Sequence, residues 1–330
     1  MRLYIVCLMT LSFLLAGCGT TLSGSGSESS SVRPETVPML AETSDEQEQV
    51  PSGVEVELFP ELLEPVHAAV PGEVVETVPG GEIDWSGNSI RATGTGVVDT
   101  GNPNLAQARL MAERAAVVVA QRNLLEAVQG VTVDSETRVE NFMTDYDVIY
   151  TRVEGVVRNA RQPGPAVYDS VAGTVAVELE MEIYGSRGLA GALSTAFAGT
   201  DPGQVSMSDQ TRDFLQQYSA LVLDGSQAGL QPSLYPKIYD ADGNLLLDTS
   251  LYASYLGSGG SAALQFVSDL DRVLSLPAFS GSPLVLSVRQ VTGQLGTDII
   301  LGREESDAMG WLGSALPFLL SAGKFLLGVI

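Results

Sequence analysis

Apolar and polar residues alternate strictly from Val175 to Ile183, where Val175, Val177, Leu179, Met181 and Ile183 are interleaved with Ala176, Glu178, Glu180 and Glu182. A period of two sends the two sets to opposite faces, so the segment predicts a strand with one buried face and one wet face. Ile90 to Val98 reads as another strand. Asn102-Pro103 then supply a helix N-cap and a proline suited to the first turn, and the helix runs to Gln129. Gly130 stops it, where a left-handed residue is expected. Between Ala115 and Ala120 the helix is apolar almost all round, which predicts cover on more than one side. Asp145 to Glu154 predict a short helix and Gly155 to Arg161 a further strand. These elements predict a helix-on-antiparallel-sheet domain over residues 85–185.

A Gly-, Ser- and Ala-rich stretch, 186–209, reads as a linker to a second α+β domain at 210–330. There Tyr218 to Asp224 and Leu234 to Tyr239 predict strands, and Asp240-Ala241-Asp242-Gly243 is turn chemistry leading into the apolar run Leu245 to Leu247. Ala262 to Leu276 has helical spacing, and strands are predicted from Pro283 to Val291 and from Thr297 to Leu301. The apolar stretch Met309 to Ile330, with Lys324 its one charge, raises the question of a membrane span. Interruptions at Gly310, Gly313, Pro317 and Gly323 favour a helix from Asp307 to Ser321 followed by a strand from Phe325 to Ile330, both in the core.

The N-terminus has a different pattern. Behind Arg2, the run Leu3 to Leu15 is apolar and too short to cross a bilayer, as a signal sequence requires. It ends in Leu15-Ala16-Gly17-Cys18, which resembles the lipobox of bacterial lipoproteins. The resemblance implies that residues 1–17 are removed and that Cys18 becomes an acylated first residue. Several acyl chains, each adding about 0.8 kcal/mol per buried CH2, make a durable anchor. Gly19 stands where inner-membrane retention signals place Asp, which by analogy implies an outer-membrane lipoprotein facing the periplasm.

Residues 18–84 read as an acidic disordered tether. From Gly19 to Ser89 there are 14 acidic side chains against Arg33, which accounts for more than half of the net charge of −23. A flexible coil of that length spans roughly 45 Å. Within it, Val54 to Leu63 mixes apolar residues with Glu55, Glu57 and Glu61 in a way that suits ordering on a partner.

Composition excludes much chemistry. Cys7 leaves with the signal peptide and Cys18 is acylated, so the mature chain has no thiol for a disulfide, a metal or a nucleophile. The one histidine, His67, lies in the tether, which removes Ser-His-Asp and Cys-His sites and histidine-bound zinc. Neither catalytic residues nor a cofactor or metal site is expected. Carboxylates at Glu178, Glu180 and Glu182, and Ser-Lys pairs using Lys237 or Lys324, stay formally open. With 17 basic against 40 acidic residues, nucleic acid is not an expected partner.

Ala92-Thr93-Gly94-Thr95-Gly96-Val97-Val98, Ala112-Glu113-Arg114-Ala115-Ala116, Gln121-Arg122-Asn123-Leu124-Leu125-Glu126, Val153-Glu154-Gly155-Val156-Val157 and Gly173-Thr174-Val175 together resemble the LPP-twenty lipoprotein family over residues 88–185. The order also looks like the flagellar outer-membrane lipoprotein FlgP. The resemblance implies a structural part of the cell envelope, associated with the flagellum, with self-association or envelope proteins as partners and no catalytic residues. Binding of peptidoglycan or a small ligand through the second domain, cued by Gly229 to Tyr239, is the alternative.

Weaker motifs have plainer readings. Gly94-Thr95-Gly96 lacks the third glycine of a phosphate loop, so a flexible or bulged strand is expected. Asp240 to Asn244 lacks the glutamate of a calcium loop, because Leu251 stands at the twelfth position. Arg109, Arg114 and Arg122 on the long helix form the candidate assembly surface, with i,i+4 pairs Arg109 to Glu113 and Arg122 to Glu126 as the plainer reading. Glu178, Glu180 and Glu182 read as a solvated comb that protects a sheet edge.

Overall fold

The computed structural model describes residues 73–197, 206–259, 262–275, 281–321 and 325–330; Cys18 and the tether up to residue 72 lie outside them. The first layer begins earlier than the sequence predicts. β1 (Val75–Val78) and β2 (Gly81–Asp84) pair as a hairpin inside the stretch read as tether, turning at Gly80, whose φ is +86°. The acidic composition concealed them, yet Ile83 and Trp85 are buried core residues. β3 (Ser89–Val97) follows, then α1 (Leu105–Gln129), α2 (Val139–Asp145), α3 (Asp147–Arg158), β4 (Val167–Asp169) and β5 (Thr174–Glu182). The antiparallel sheet has the order β1-β2-β3-β5-β4.

Helix α1 lies across this sheet, and its buried residues show how. Ala108, Ala112, Ala116, Ala120 and Leu124 recur every four residues and form one narrow stripe. Opposite stand Gly94 and Gly96 of β3, which pairs with β5 without a bulge. A Cβ on Gly94 would sit 2.2 Å from the Ala116 carbonyl oxygen, and one on Gly96 would sit 2.0 Å from that of Ala112. The two glycines therefore mark a backbone-to-backbone contact rather than a flexible strand or a phosphate loop. The helix is capped by Asn104, whose side chain accepts from the Gln107 N–H at 3.1 Å, two residues beyond the predicted cap Asn102. Gly130 ends it with φ −75°, a right-handed residue. Neither its φ nor its packing demands a glycine, since a Cβ there would lie 3.3 Å from the Ala127 carbonyl oxygen and in ordinary contact with Val78 at 3.6 Å. The predicted strand at Gly155 to Arg161 is instead the end of α3, where Ile149, Val153 and Val157 share a buried face at helical spacing.

The Gly- and Ala-rich stretch read as a linker holds α4 (Leu189–Leu193), with Leu189, Ala190 and Leu193 buried. Small residues serve close packing here as well: a Cβ on Gly191 would meet the Gly185 carbonyl at 2.6 Å. Beyond it come α5 (Asp209–Gln217), β6 (Ala220–Asp224), β7 (Lys237–Tyr239), β8 (Leu245–Asp248), α6 (Ala253–Gly259), β9 (Gln265–Val267), α7 (Leu270–Leu274), β10 (Leu284–Thr292), β11 (Asp298–Leu301), α8 (Arg303–Ala308), α9 (Leu312–Ser321) and β12 (Phe325–Val329). The predicted helix at Ala262 to Leu276 divides into strand β9 and the short α7. The turn at Asp240 to Asn244 links β7 to β8 as expected, with Gly243 at φ +86°.

The second sheet is mixed, in the order β8-β7-β11-β10-β6-β12-β9, and β10, β6, β12 and β9 run parallel. Ala220, Leu221, Val222 and Leu223 are consecutive buried residues, as a parallel strand covered on both faces requires. The apolar C-terminal segment supplies α9 and the internal strand β12 of this sheet, and no helix among the described residues is long and apolar enough to cross a membrane. The fold is α+β throughout.

The two sheets share one cluster of buried apolar residues, and Phe142, Phe197 and Tyr235 form an aromatic chain between them at 5.5 and 5.0 Å. A backbone seam reinforces it. The Thr132 and Val133 carbonyls accept from Leu234 and Tyr235 N–H at 3.1 and 2.8 Å, and the Ser135 carbonyl accepts from Leu295 N–H at 3.0 Å.

Two glycines with opposite surroundings test this account. Gly94→Val is expected to lower stability in urea unfolding by about 2–3 kcal/mol or more, since overpacking a tight contact cannot relax through a backbone neighbour. Gly155→Ala, with nothing within 4 Å of its Cβ position in the helical α3, is expected to raise it by about 0.5–1 kcal/mol.

Candidate functional site

Helix α1 packs on the sheet and, in part, against α2 and α3, so the expected cover on more than one side is met in part, while one side stays open to solvent. Leu110, Met111 and Val118 are 61%, 59% and 64% exposed, and Arg114 and Arg122 are exposed on the same side. Arg114, Val118 and Arg122 follow at intervals of four residues, so they form one ridge with a hydrophobic centre and a cation at each end. Arg109 stands apart from them. Its guanidinium carbon lies 4.1 Å from the Tyr168 ring centroid, tying α1 to β4 by a cation–π contact. The structure thus brings together two of the three predicted arginines. Neither Arg109 with Glu113 nor Arg122 with Glu126 forms the expected ion pair, and Arg114 and Arg122 make no ion pair with a described residue.

The opposite face of the first sheet is open and polar. Arg91, Thr93 and Thr95 of β3 pair in register with Glu180, Glu178 and Ala176 of β5. β5 is an internal strand, so the glutamates do not protect an edge. Glu180 sits between two arginines, 3.2 Å from Arg91 Nε and 2.7 Å from Arg161 Nη2, while Arg91 lies 3.9 Å from Glu178. Glu178 and Glu182 stay exposed. The geometry places Glu178, Glu180 and Glu182 on the outer face of the sheet.

Sequence reading missed a second feature, at the seam between the sheets. Asp298, only 3% exposed, accepts from the Lys237 backbone N–H at 2.9 Å and from the Ser135 hydroxyl at 2.7 Å. It forms the floor of a cleft of about 480 Å³ lined also by Asp134, Glu136, Thr137, Lys237 and Tyr239. Burial raises the Asp298 pKa above the ordinary 3.8, and the neighbouring Asp134 charge adds to this; the two hydrogen bonds and the Lys237 charge oppose it. Burial, and next the Asp298 charge, likewise raise the Tyr239 phenol. The lining comes from three distant stretches, 134–137, 237–243 and 292–300, so no local motif announces it. Among the described residues no group of three or more His, Cys, Asp or Glu has the arrangement to hold a metal ion.

A family model described as Treponema pallidum Tp0624, second domain, matches residues 220–311, from β6 through α8 to the residue before α9. A search of curated proteins finds no match. The matched span builds most of the second sheet and supplies Lys237, Tyr239 and Asp298. It does not overlap residues 88–185, on which the LPP-twenty resemblance rests.

The Asp298 geometry sets a pH dependence. With the folded pKa above the unfolded value, the protonated form is favoured by folding. The stabilisation is therefore present at acid pH, below the unfolded value, and is lost as pH rises through the folded pKa. Asp298→Asn keeps an acceptor and a donor without the charge. Its Tm relative to the parent is expected to be equal or higher at about pH 8 and to lose that advantage toward about pH 4, followed by thermal melts across the range.

Proposed function

We propose that this chain is an outer-membrane lipoprotein, anchored through acylated Cys18 and facing the periplasm, which acts without catalysis as an assembly component of the cell envelope. The lipobox and the acidic tether support the anchor and its reach. The resemblance to the LPP-twenty family and to FlgP supports an envelope structure associated with the flagellum.

The observation that carries the assembly reading is the complementarity of the two solvent faces of the first layer. One is the α1 ridge, apolar with Arg114 and Arg122; the other is the open sheet face with Glu178 and Glu182. They lie on opposite sides of the same layer, so a contact between them is head to tail and leaves one free face at each end. Such a contact propagates into a ring or a filament. Pairing α1 against α1 about Val118 would instead set Arg114 against Arg122 of the other copy, and like charges oppose it.

Two experiments test the proposal. Cys18→Ala is expected to abolish palmitate labelling and to remove the protein from the outer-membrane fraction, and unchanged fractionation would overturn the anchor. In light scattering on the unacylated mature chain, Arg114→Glu with Arg122→Glu is expected to reduce assemblies to monomer. Adding Glu178→Arg and Glu182→Arg to the same chain is expected to restore them. Assemblies untouched by the first pair would exclude this face.

A further inference from the structure

The cleft over Asp298 has a charge arrangement that the fold alone does not explain. A buried carboxylate ordinarily has a cation beside it, because uncompensated burial costs several kcal/mol. Asp298 has two hydrogen bonds and no cation within ion-pair distance among the described residues. Its role at the seam is to accept from Lys237 N–H and the Ser135 hydroxyl, and an asparagine would keep both contacts without the charge, accepting from Lys237 through its oxygen and donating its NH2 to a Ser135 hydroxyl turned to accept.

The rest of the lining is unbalanced as well. Asp134 spends Oδ1 on its own loop, accepting from Glu136 N–H at 2.9 Å, Thr137 N–H at 2.9 Å and the Thr137 hydroxyl at 2.7 Å. Its other oxygen takes no part in those bonds. Glu136 is exposed at the rim. Lys237, anchored to Asp298 through its backbone, makes no ion pair with a described residue, and its charge acts on Asp298 only from beyond ion-pair distance. Tyr239 adds a hydroxyl donor to the same wall.

A cleft with three carboxylates and one cation repels simple anions, and Lys237 disfavours a bare polycation. A ligand with an ammonium at one end and a carboxylate at the other satisfies both sets of charges at once. We propose that this cleft binds a small zwitterion of the amino-acid class, with its ammonium group on Asp298 and Asp134 and its carboxylate on Lys237. The site is separate from the α1 ridge, so it stands or falls apart from the assembly reading. Seated on the seam, such a ligand bridges the 134–137 loop of the first layer to β7 and β11 of the second.

Calorimetry and thermal shift on the unacylated mature chain test this with four probes: L-alanine and L-lysine as zwitterions, ethylammonium and acetate as the separate halves. A zwitterion is expected to bind saturably and raise Tm in a concentration-dependent way. Each half alone is expected to bind at least roughly tenfold more weakly, and so is the zwitterion to Asp298→Asn or Lys237→Met. Asp298→Asn is expected to keep its fold, and the melting curve of Lys237→Met checks the same for the partly exposed lysine. Absence of binding by both zwitterions up to about 10 mM would overturn the proposal. Ethylammonium or acetate binding as tightly as the zwitterions would also overturn it, as would undiminished binding by both variants.

Discussion

Everything in the first layer depends on one contact, the approach of α1 to β3 at Gly94 and Gly96 with no side chain between them. The stripe of Ala108, Ala112, Ala116 and Ala120 keeps the helix side of the contact as small as the strand side. Close approach buries little apolar area per residue, so the layer gains its stability from density and from Leu124, Val128 and the alternating residues of β5 around the contact. The same contact fixes which residues of α1 face outward. Because the inward face is spent on alanine, Leu110, Met111 and Val118 are left to solvent with Arg114 and Arg122. A hydrophobic ridge of this kind costs solubility unless something covers it, and it is the physical ground for reading this layer as an assembly part.

The second sheet joins the first through shared core and through hydrogen bonds from the loop that follows α1. This seam holds Val133 and Ser135 against Tyr235 and Asp298, so a ligand in the Asp298 cleft would act on the relation between the two sheets. In the proposed reading, a long acidic stretch of sequence separates Cys18 from the ridge on α1, so membrane attachment and assembly would be independent functions of one chain.

Much of the fold was legible where one segment carried its own periodicity. The alternation of Val175 to Ile183 and the strand at Ile90 to Val98 became β5 and β3, and the interrupted apolar C-terminus became α9 and β12. What escaped was relational. Gly94 and Gly96 looked like flexibility because their reason is an alanine stripe on another element, although the four-residue recurrence of alanine in α1 was a signal open to reading. The valines of Gly155 to Arg161 favour strand by propensity, while Ile149, Val153 and Val157 favour helix by spacing, and packing on α1 decides for the helix. Small residues at 186–193 suggested a linker because composition does not distinguish chain that needs freedom from chain that needs closeness. Of the candidate site, Arg114 and Arg122 were found from the helix pattern, whereas Asp298 was not, since its burial and cleft arise only when three distant segments meet.

The most direct test of the assembly reading uses the absence of cysteine after residue 18. With Cys18 replaced by Ala and the signal peptide removed, Val118→Cys on the α1 ridge and Thr93→Cys on the open sheet face can be introduced together and oxidised in the assembled protein. Head-to-tail contact predicts a disulfide ladder of dimers, trimers and higher species from the double variant, with little product from either single variant. Dimers from Val118→Cys alone, with no ladder from the double variant, would mean that α1 faces α1 and would contradict the account.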